Sequence, residues 1–367
     1  MWGDIAIAFI LAFITAFVTT PYTIRLAHKV GAIDLPKDER RINTKPMPRL
    51  GGLAVIAGFI ISIVYLFIIM SIEGTINLFV EDSYFIKMLG FLAGIVILGV
   101  TCFIDDSKGI HPLVKLSAQI LAAIIMVICG VRIDHLNIPF INSMPWSEWF
   151  YIILTIGWIV GITNAINLID GLDGLSTGIG IISSVSLLVI FALNGAPLIS
   201  IILITSLAGS LIGFLPFNFN PAKTFIGDVG SNFLGFSLSV ISILGIAKTY
   251  TAIVIIAPLI VLALPVFDTL WAIVRRIITG KSLKAIIMPD TGHLHHRILQ
   301  KGYTQKQAVI ILYGISATFG MFAIILLDSG IWKALSFALM IIAAMIVGYF
   351  NIIKVREEDK KEDKEEK

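Results

Sequence analysis

Long apolar runs alternate with short polar segments along almost the whole chain. The runs cover roughly 3–24, 51–70, 86–104, 113–130, 149–166, 175–193, 197–215, 230–247, 250–271, 307–327 and 331–350. Each approaches or exceeds the length at which an apolar helix spans a bilayer. The pattern predicts an all-α integral membrane protein of about eleven transmembrane helices. The polar positions are not scattered between the runs. Three clusters sit where apolar runs end: "FIDDSKG" (103–109), "NAINLIDGLDGL" (164–175) and "FIGDVGSN" (225–232).

Composition agrees with that class. Of 367 residues, 57% are hydrophobic and 14% charged, with mean hydropathy +0.95; a soluble chain carries about 25% charged residues. The first run lacks a basic leader, so residues 3–24 read as a retained span. Cys102 and Cys129 both fall within runs and read as small packing residues. The GxxxG pairs Gly90–Gly94 and Gly209–Gly213 read as helix-packing positions.

Charge sets the expected orientation. With the N-terminus outside, the inside segments hold seven Lys and Arg in 25–50, two in 105–115, one in 216–228, seven in 272–306 and six in 354–367. Only Lys87, Arg132, Lys248 and Lys333 fall outside. This bias predicts an outside N-terminus and an inside C-terminus. The membrane domain is then 1–353. The tail 354–367, "KVREEDKKEDKEEK", mixes seven acids with six bases and reads as a solvated, disordered end.

That topology brings all three acidic clusters to the cytoplasmic face. A carboxylate at a helix centre costs about 2.5–3.5 kcal/mol on insertion scales, but at a helix end it can reach water. Asp105, Asp106, Asp170, Asp173 and Asp228 are hard oxygen donors, and Asn164 and Asn167 add neutral ones. Such donors suit Mg²⁺, with Mn²⁺ as a substitute. Lys45, Arg49, Lys115 and Arg297 can neutralise phosphate oxygens. Carboxylates, a divalent ion and cations at one face describe phosphoryl transfer between a lipid-borne and a water-soluble substrate. A secondary transporter is the rival from another class, but its polar groups would lie near the bilayer midplane, commonly with internal repeats. No repeat is visible, and nothing points to nucleic acid.

The stretches "PMPRLGG", "FIDDSKG", "HPLVKLSAQ", "NAINLIDGLDGL", "FNFNPAKTFIGDVGS" and "DTGHLHHRI" occur in that order between residues 46 and 298. Together they resemble the polyprenyl-phosphate N-acetylhexosamine-1-phosphate transferase superfamily. "HLHHR" resembles its GlcNAc-1-phosphate branch, whereas the phospho-MurNAc-pentapeptide translocases carry consecutive histidines followed by an acid. The resemblance implies transfer of GlcNAc-1-phosphate from UDP-GlcNAc to undecaprenyl phosphate, releasing UMP, at the bacterial plasma membrane. A translocase, or a transferase for another UDP-HexNAc, is the alternative.

By the same resemblance, Asn167 and Asp228 would bind Mg²⁺. Asp105 and Asp106 are the essential acidic pair, one of them proposed as base, and Lys115 would bind the lipid phosphate. Asp173, His295 and His296 join the catalytic set. Asp34, Arg49, Asn218 and Phe225 surround the nucleotide sugar, and Asp170 and Arg297 complete its candidate ligands. The implied partners are undecaprenyl phosphate, UDP-GlcNAc and membrane lipids, with a homodimer left open. A phosphomonoester has its second pKa at about 6, so the lipid phosphate is already mostly dianionic at neutral pH. Bringing two anions together is then a greater difficulty than removing a proton.

Overall fold

The computed structural model describes residues 2–36, 45–74, 84–133, 148–246, 252–280 and 292–342. The charged tail at 354–367 lies outside the described residues, as does Asp290. The chain is helical nearly throughout: α1 (Trp2–Val30), α2 (Gly52–Ile72), α3 (Tyr84–Lys108), α4 (Pro112–Ile128), α5 (Glu148–Ile169), α6 (Leu175–Leu193), α7 (Leu198–Asn218), α8 (Gly227–Ile246), α9 (Ala252–Val261), α10 (Ala263–Gly280), α11 (Leu294–Gln300), α12 (Gln305–Ser329) and α13 (Ile331–Ile342). Between α1 and α2 two short strands, β1 (Ile33–Asp34) and β2 (Met47–Pro48), pair antiparallel with Asp34 opposite Met47.

Eight described helices are long and apolar enough to cross a membrane: α1, α2, α3, α5, α6, α7, α8 and α12. The protein is therefore an all-α, multi-pass membrane protein. Helix α4 is shorter, at 17 residues, and α13 is described only over Ile331–Ile342.

The run at 250–271, expected as one span, is divided at Leu262 into α9 and α10. Pro265 has no N–H to return to Val261, so the ladder loses a bond there. The Leu262 N–H still donates to the Pro258 carbonyl at 2.9 Å. Helix α10 then continues to Gly280 as an amphipathic rod. Phe267, Leu270, Trp271, Val274 and Ile278 stay exposed, while Thr269 and Ala272 are buried.

Helices α7 and α8 form the centre, with 83% and 94% of their most apolar stretches enclosed, against 22% for α1 and 28% for α12. Helix α8 is the least hydropathic of the eight spans and the most enclosed. It can be so because its neighbours α5, α3, α2, α7 and α6 shield it. Two of its serine hydroxyls also bond within the helix: Ser231 donates to the Gly227 carbonyl and Ser239 to that of Phe236. The GxxxG glycines admit close approach. Gly209 and Gly213 of α7 abut the Phe9 and Phe13 carbonyls of α1, and Gly94 of α3 lies against the Phe236 ring of α8. Gly90 abuts Cys129, so that thiol packs as expected.

Candidate active site

The central helices carry their polar residues to one end of the bundle. A cavity of about 530 Å³ opens there. Its walls come from five parts of the chain: the β1–β2 region with Arg49, the α5–α6 connection, the α7–α8 connection, His296 of α11, and Gln305 at the start of α12. The segment after β2 is tied to the α7–α8 connection by main-chain bonds. Phe225 N donates to the Pro48 carbonyl at 2.8 Å, and Gly52 N to that of Ile226 at 2.8 Å. Gly227 has φ +70 and lies against the Arg49 carbonyl, so a side chain there would meet both strain and backbone. This fixes Arg49 over the N-terminus of α8.

A charge network fills that corner. Asp228, in the first turn of α8, takes the Lys115 ammonium on Oδ1 at 2.6 Å and the Arg49 guanidinium on Oδ2 at 3.4 Å. The Asn167 amide also donates to Asp228 Oδ1, at 2.6 Å, and to Ser231 Oγ at 2.8 Å. Lys115 bridges Asp228 to Asp105, whose Oδ2 is 3.2 Å away. Arg49 reaches Asp34 at 3.8 Å and Asp106 at 3.3 Å.

The two adjacent aspartates have different surroundings. Asp105 accepts the Ile110 N–H at 2.9 Å and faces Lys115. The Asp106 carboxylate is wholly enclosed and accepts the N–H groups of Asp228 and Val229, at 3.1 and 3.0 Å. These N–H groups open α8, where an anion is favoured by the unpaired donors and the helix dipole. Asp106 thus caps the helix that carries Asp228 and does not line the cavity.

The opposite wall is built on the α5–α6 connection. Asp173 accepts from the Asn220 amide at 2.9 Å and from Ala222 N at 3.1 Å. Asn220 also donates to Gln305 Oε1 at 2.9 Å, tying α12 to the same corner. Asp170 accepts from Ser176 Oγ at 2.6 Å. Burial pushes its carboxyl up to about 7, against the lowering effect of Ser176. Asn218 is held by Thr177 and by the Thr224 carbonyl, and with Phe225 it lines the cavity. The Tyr313 hydroxyl donates to the Gly174 carbonyl at 2.5 Å, pinning the connection to α12.

The three histidines separate by environment. His293 Nδ1 lies 2.9 Å from Asp268 Oδ2 of α10, and Asp268 Oδ1 accepts the Leu294 N–H at 2.8 Å. Asp268 therefore anchors the start of α11. His295 is buried between its two neighbours, with ring centroids 5.8 Å from His293 and 4.3 Å from His296. Its Nε2 is pressed against Gly171, where any Cβ would collide with the ring. Burial and the other two histidines hold the His295 imidazole down at about 3, so it is neutral and supplies no charge. His296 alone of the three lines the cavity.

The structure thus brings Asp34, Arg49, Asn167, Asp170, Asp173, Asn218, Phe225, Asp228 and His296 to one cavity, with Lys45. Lys115 and Asp105 stand behind Asp228, and Asp106 and His295 support the walls. Arg297 is exposed on α11 and does not reach the cavity. Asn164 lies one turn deeper, donating to Gln119. Sequence reasoning missed Asn220, Gln305 and Asp268. Asn220 sits inside the quoted "FNFNPAKTFIGDVGS" and could have been taken with Asn218. Gln305 and Asp268 stand alone in ordinary helical context and carry no signal.

Hard oxygen donors predominate in the cavity lining, and no cysteine is among the described residues that line it. No group of three or more His, Cys, Asp or Glu side chains surrounds one point among the described residues. Asp228 and Asn167 nevertheless converge at the cavity wall. Few protein ligands with substrate phosphates completing the shell is how Mg²⁺ is usually held, so these residues fit a hard divalent ion.

Residues 88–246 match the family model described as glycosyl transferase family 4. The chain is 37% identical over 341 residues to a probable undecaprenyl-phosphate N-acetylglucosaminyl 1-phosphate transferase of Bacillus subtilis, covering 93% of this chain and 90% of that one. It is 35% identical over 309 residues to a decaprenyl-phosphate N-acetylglucosaminephosphotransferase of Mycobacterium leprae, covering 78% and 75%. It is also 31% identical over 306 residues to a phospho-N-acetylmuramoyl-pentapeptide-transferase of Staphylococcus saprophyticus, covering 79% and 85%. With 37% identity over 93% of its length and the family's segment spanning α5, α7 and α8, which carry much of the cavity wall, the chain belongs to glycosyl transferase family 4.

Proposed function

We propose that the protein transfers GlcNAc-1-phosphate from UDP-GlcNAc to undecaprenyl phosphate, giving undecaprenyl-diphospho-GlcNAc and UMP. The observation that carries this reading is the junction of Lys115, Asp228 and Asn167 at the wall of a cavity of about 530 Å³. Such a volume suits a nucleotide sugar. The longer full-length likeness to the GlcNAc-phosphate transferase of Bacillus subtilis, compared with that to the pentapeptide-transferases, supports the choice of donor.

In this reading the donor lies in the cavity. Asp173, Asn220, Asn218 and Phe225 contact the nucleotide, His296 approaches the diphosphate, and Arg49 and Lys45 balance its charge. The lipid phosphate arrives at Lys115 from the bilayer side. One of its oxygens attacks the sugar-linked phosphorus. A new P–O bond forms to the lipid phosphate, and the bond to the bridging oxygen breaks, its electron pair leaving with UMP. No proton need be removed from an acceptor that is already dianionic. Asp105 accordingly orients Lys115, and Asp106 fixes Asp228 by capping α8. Asp228 and Asn167 would hold a divalent ion, Mg²⁺ with Mn²⁺ as substitute; when bound, it would screen the diphosphate and the developing charge on UMP. With the N-terminus outside, the cavity faces the cytoplasm, where UDP-sugars occur.

Purified protein in detergent, given undecaprenyl phosphate and a panel of UDP-sugars, tests this. UMP release is expected with UDP-GlcNAc and not with UDP-MurNAc-pentapeptide. The reverse preference would transfer the protein to the pentapeptide branch.

A further inference from the structure

Below the Lys115–Asp228–Asn167 junction lies a second polar layer. Gln119, Asn164 and Asn232 each sit one helical turn deeper than one junction residue: Lys115 and Gln119 on α4, Asn167 and Asn164 on α5, Asp228 and Asn232 on α8. Spacings of three and four place each pair on one helix face, about 4.5–6 Å apart along the axis. The Asn164 amide donates to Gln119 Oε1 at 2.6 Å, and Gln119 Nε2 donates to Asn232 Oδ1 at 2.7 Å. Asn232 Nδ2 then donates to the main-chain carbonyl of Asp228 at 2.9 Å. Gln119 is 1% exposed and Asn232 is 0% exposed.

We infer that Gln119, Asn164 and Asn232 are positioning residues, an amide layer that sets α4, α5 and α8 in the register at which Lys115, Asn167 and Asp228 meet. An amide suits the task because it donates and accepts at fixed angles, so one chain of bonds fixes both distance and rotation. Gln119 and Asn232 are buried among helices, so slippage would leave a buried amide unsatisfied. Simple helix adhesion does not account for it. The interhelical contact of Ser62 with Ser206, by contrast, joins α2 to α7, and neither of these helices carries a junction residue. The amide layer matches the junction helix for helix and ends on the Asp228 backbone.

The inference rests on the proposed transferase reading, so the test has one arm that does not need turnover. Gln119→Leu and Asn164→Leu are compared with Ser62→Ala, which removes a buried interhelical contact elsewhere. A milder variant, Gln119→Asn, keeps the amide but is too short to bond both neighbours; it serves if the leucine variants elute as aggregates. The positioning role predicts a fall in kcat of about 10- to 100-fold, the penalty of misplacing reacting groups by roughly an ångström, with the KM for UDP-GlcNAc changed little. It also predicts that Lys115, followed by peptide mass spectrometry, is acylated by an amine reagent several times faster than in the parent. Ser62→Ala should change neither. Folded variants with parental kcat and parental Lys115 labelling would overturn the inference. So would an equal response of Ser62→Ala. If the parent itself releases no UMP, the transferase reading fails, and the labelling rates still decide the positioning role.

Discussion

Replacing Asp106 by Asn separates a helix cap from a proton acceptor. The carboxylate is enclosed, with Asp228 N and Val229 N at 3.1 and 3.0 Å and Arg49 Nε at 3.3 Å. An asparagine offers one carbonyl oxygen, so one of the two helix N–H groups would face an amide NH₂. A hydrogen bond to a charged group contributes about 1.5–3 kcal/mol, and leaving a buried donor unsatisfied costs about 1–3 kcal/mol. The helix-dipole part of the loss adds about 0.3–1 kcal/mol. Asp106→Asn should therefore lower the unfolding midpoint in detergent clearly, in step with a loss of roughly 2–4 kcal/mol. Turnover should fall at least about tenfold as the first turn of α8 loosens around Asp228. The assay pairs a thermal unfolding curve with UMP release at saturating substrates. A variant as stable as the parent but without turnover would refute the capping account and return Asp106 to the chemical step.

Other outcomes follow from the same geometry. Asp228→Asn should remain folded yet lose about a hundredfold in UMP release, the scale of one strong transition-state electrostatic contact; near-parental turnover would remove it from the proposed metal site. Gly171→Ala should lose stability by about 1–3 kcal/mol, because the added Cβ meets the His295 ring; an unchanged unfolding midpoint would show that the ring has room to move. The Asp170 carboxyl, raised to about 7 from 3.8, binds a proton in the folded state that the unfolded chain has released between those values. Its contribution to stability is present at low pH and is lost as pH rises from about 4 to 7. Asp170→Asn should flatten that part of the stability profile, measured in parallel with the parent. Arg297→Lys should retain parental turnover, since Arg297 stands outside the cavity; a deep loss would place α11 differently in the working enzyme.

Much of this was legible because membrane sequences make polar residues conspicuous. Carboxylates at the ends of apolar runs marked three helix termini that do converge, and the paired glycines marked the close contacts of α1 with α7. Other features were hidden by geometry. Asp105 and Asp106 read as one acidic pair, yet neighbouring helical residues point about 100° apart. One therefore meets Lys115 and the other the end of α8. His293, His295 and His296 read as a histidine cluster. Their separate roles depend on Asp268 of α10 and Gly171 of the α5–α6 connection, which no spacing within the motif could announce. The break in the ninth run was signalled by Pro258 and Pro265, but its apolar character continued through both and concealed the division.

The central claim is that phosphorus moves with the sugar. Donor labelled with ³²P in its sugar-linked phosphate, supplied with undecaprenyl phosphate and a divalent cation, tests it directly. The account predicts that the label enters the lipid extract in step with release of unlabelled UMP, and that Lys115→Ala blocks this transfer while leaving the donor able to bind. Label retained in UDP, with the sugar alone passing to the lipid, would contradict it.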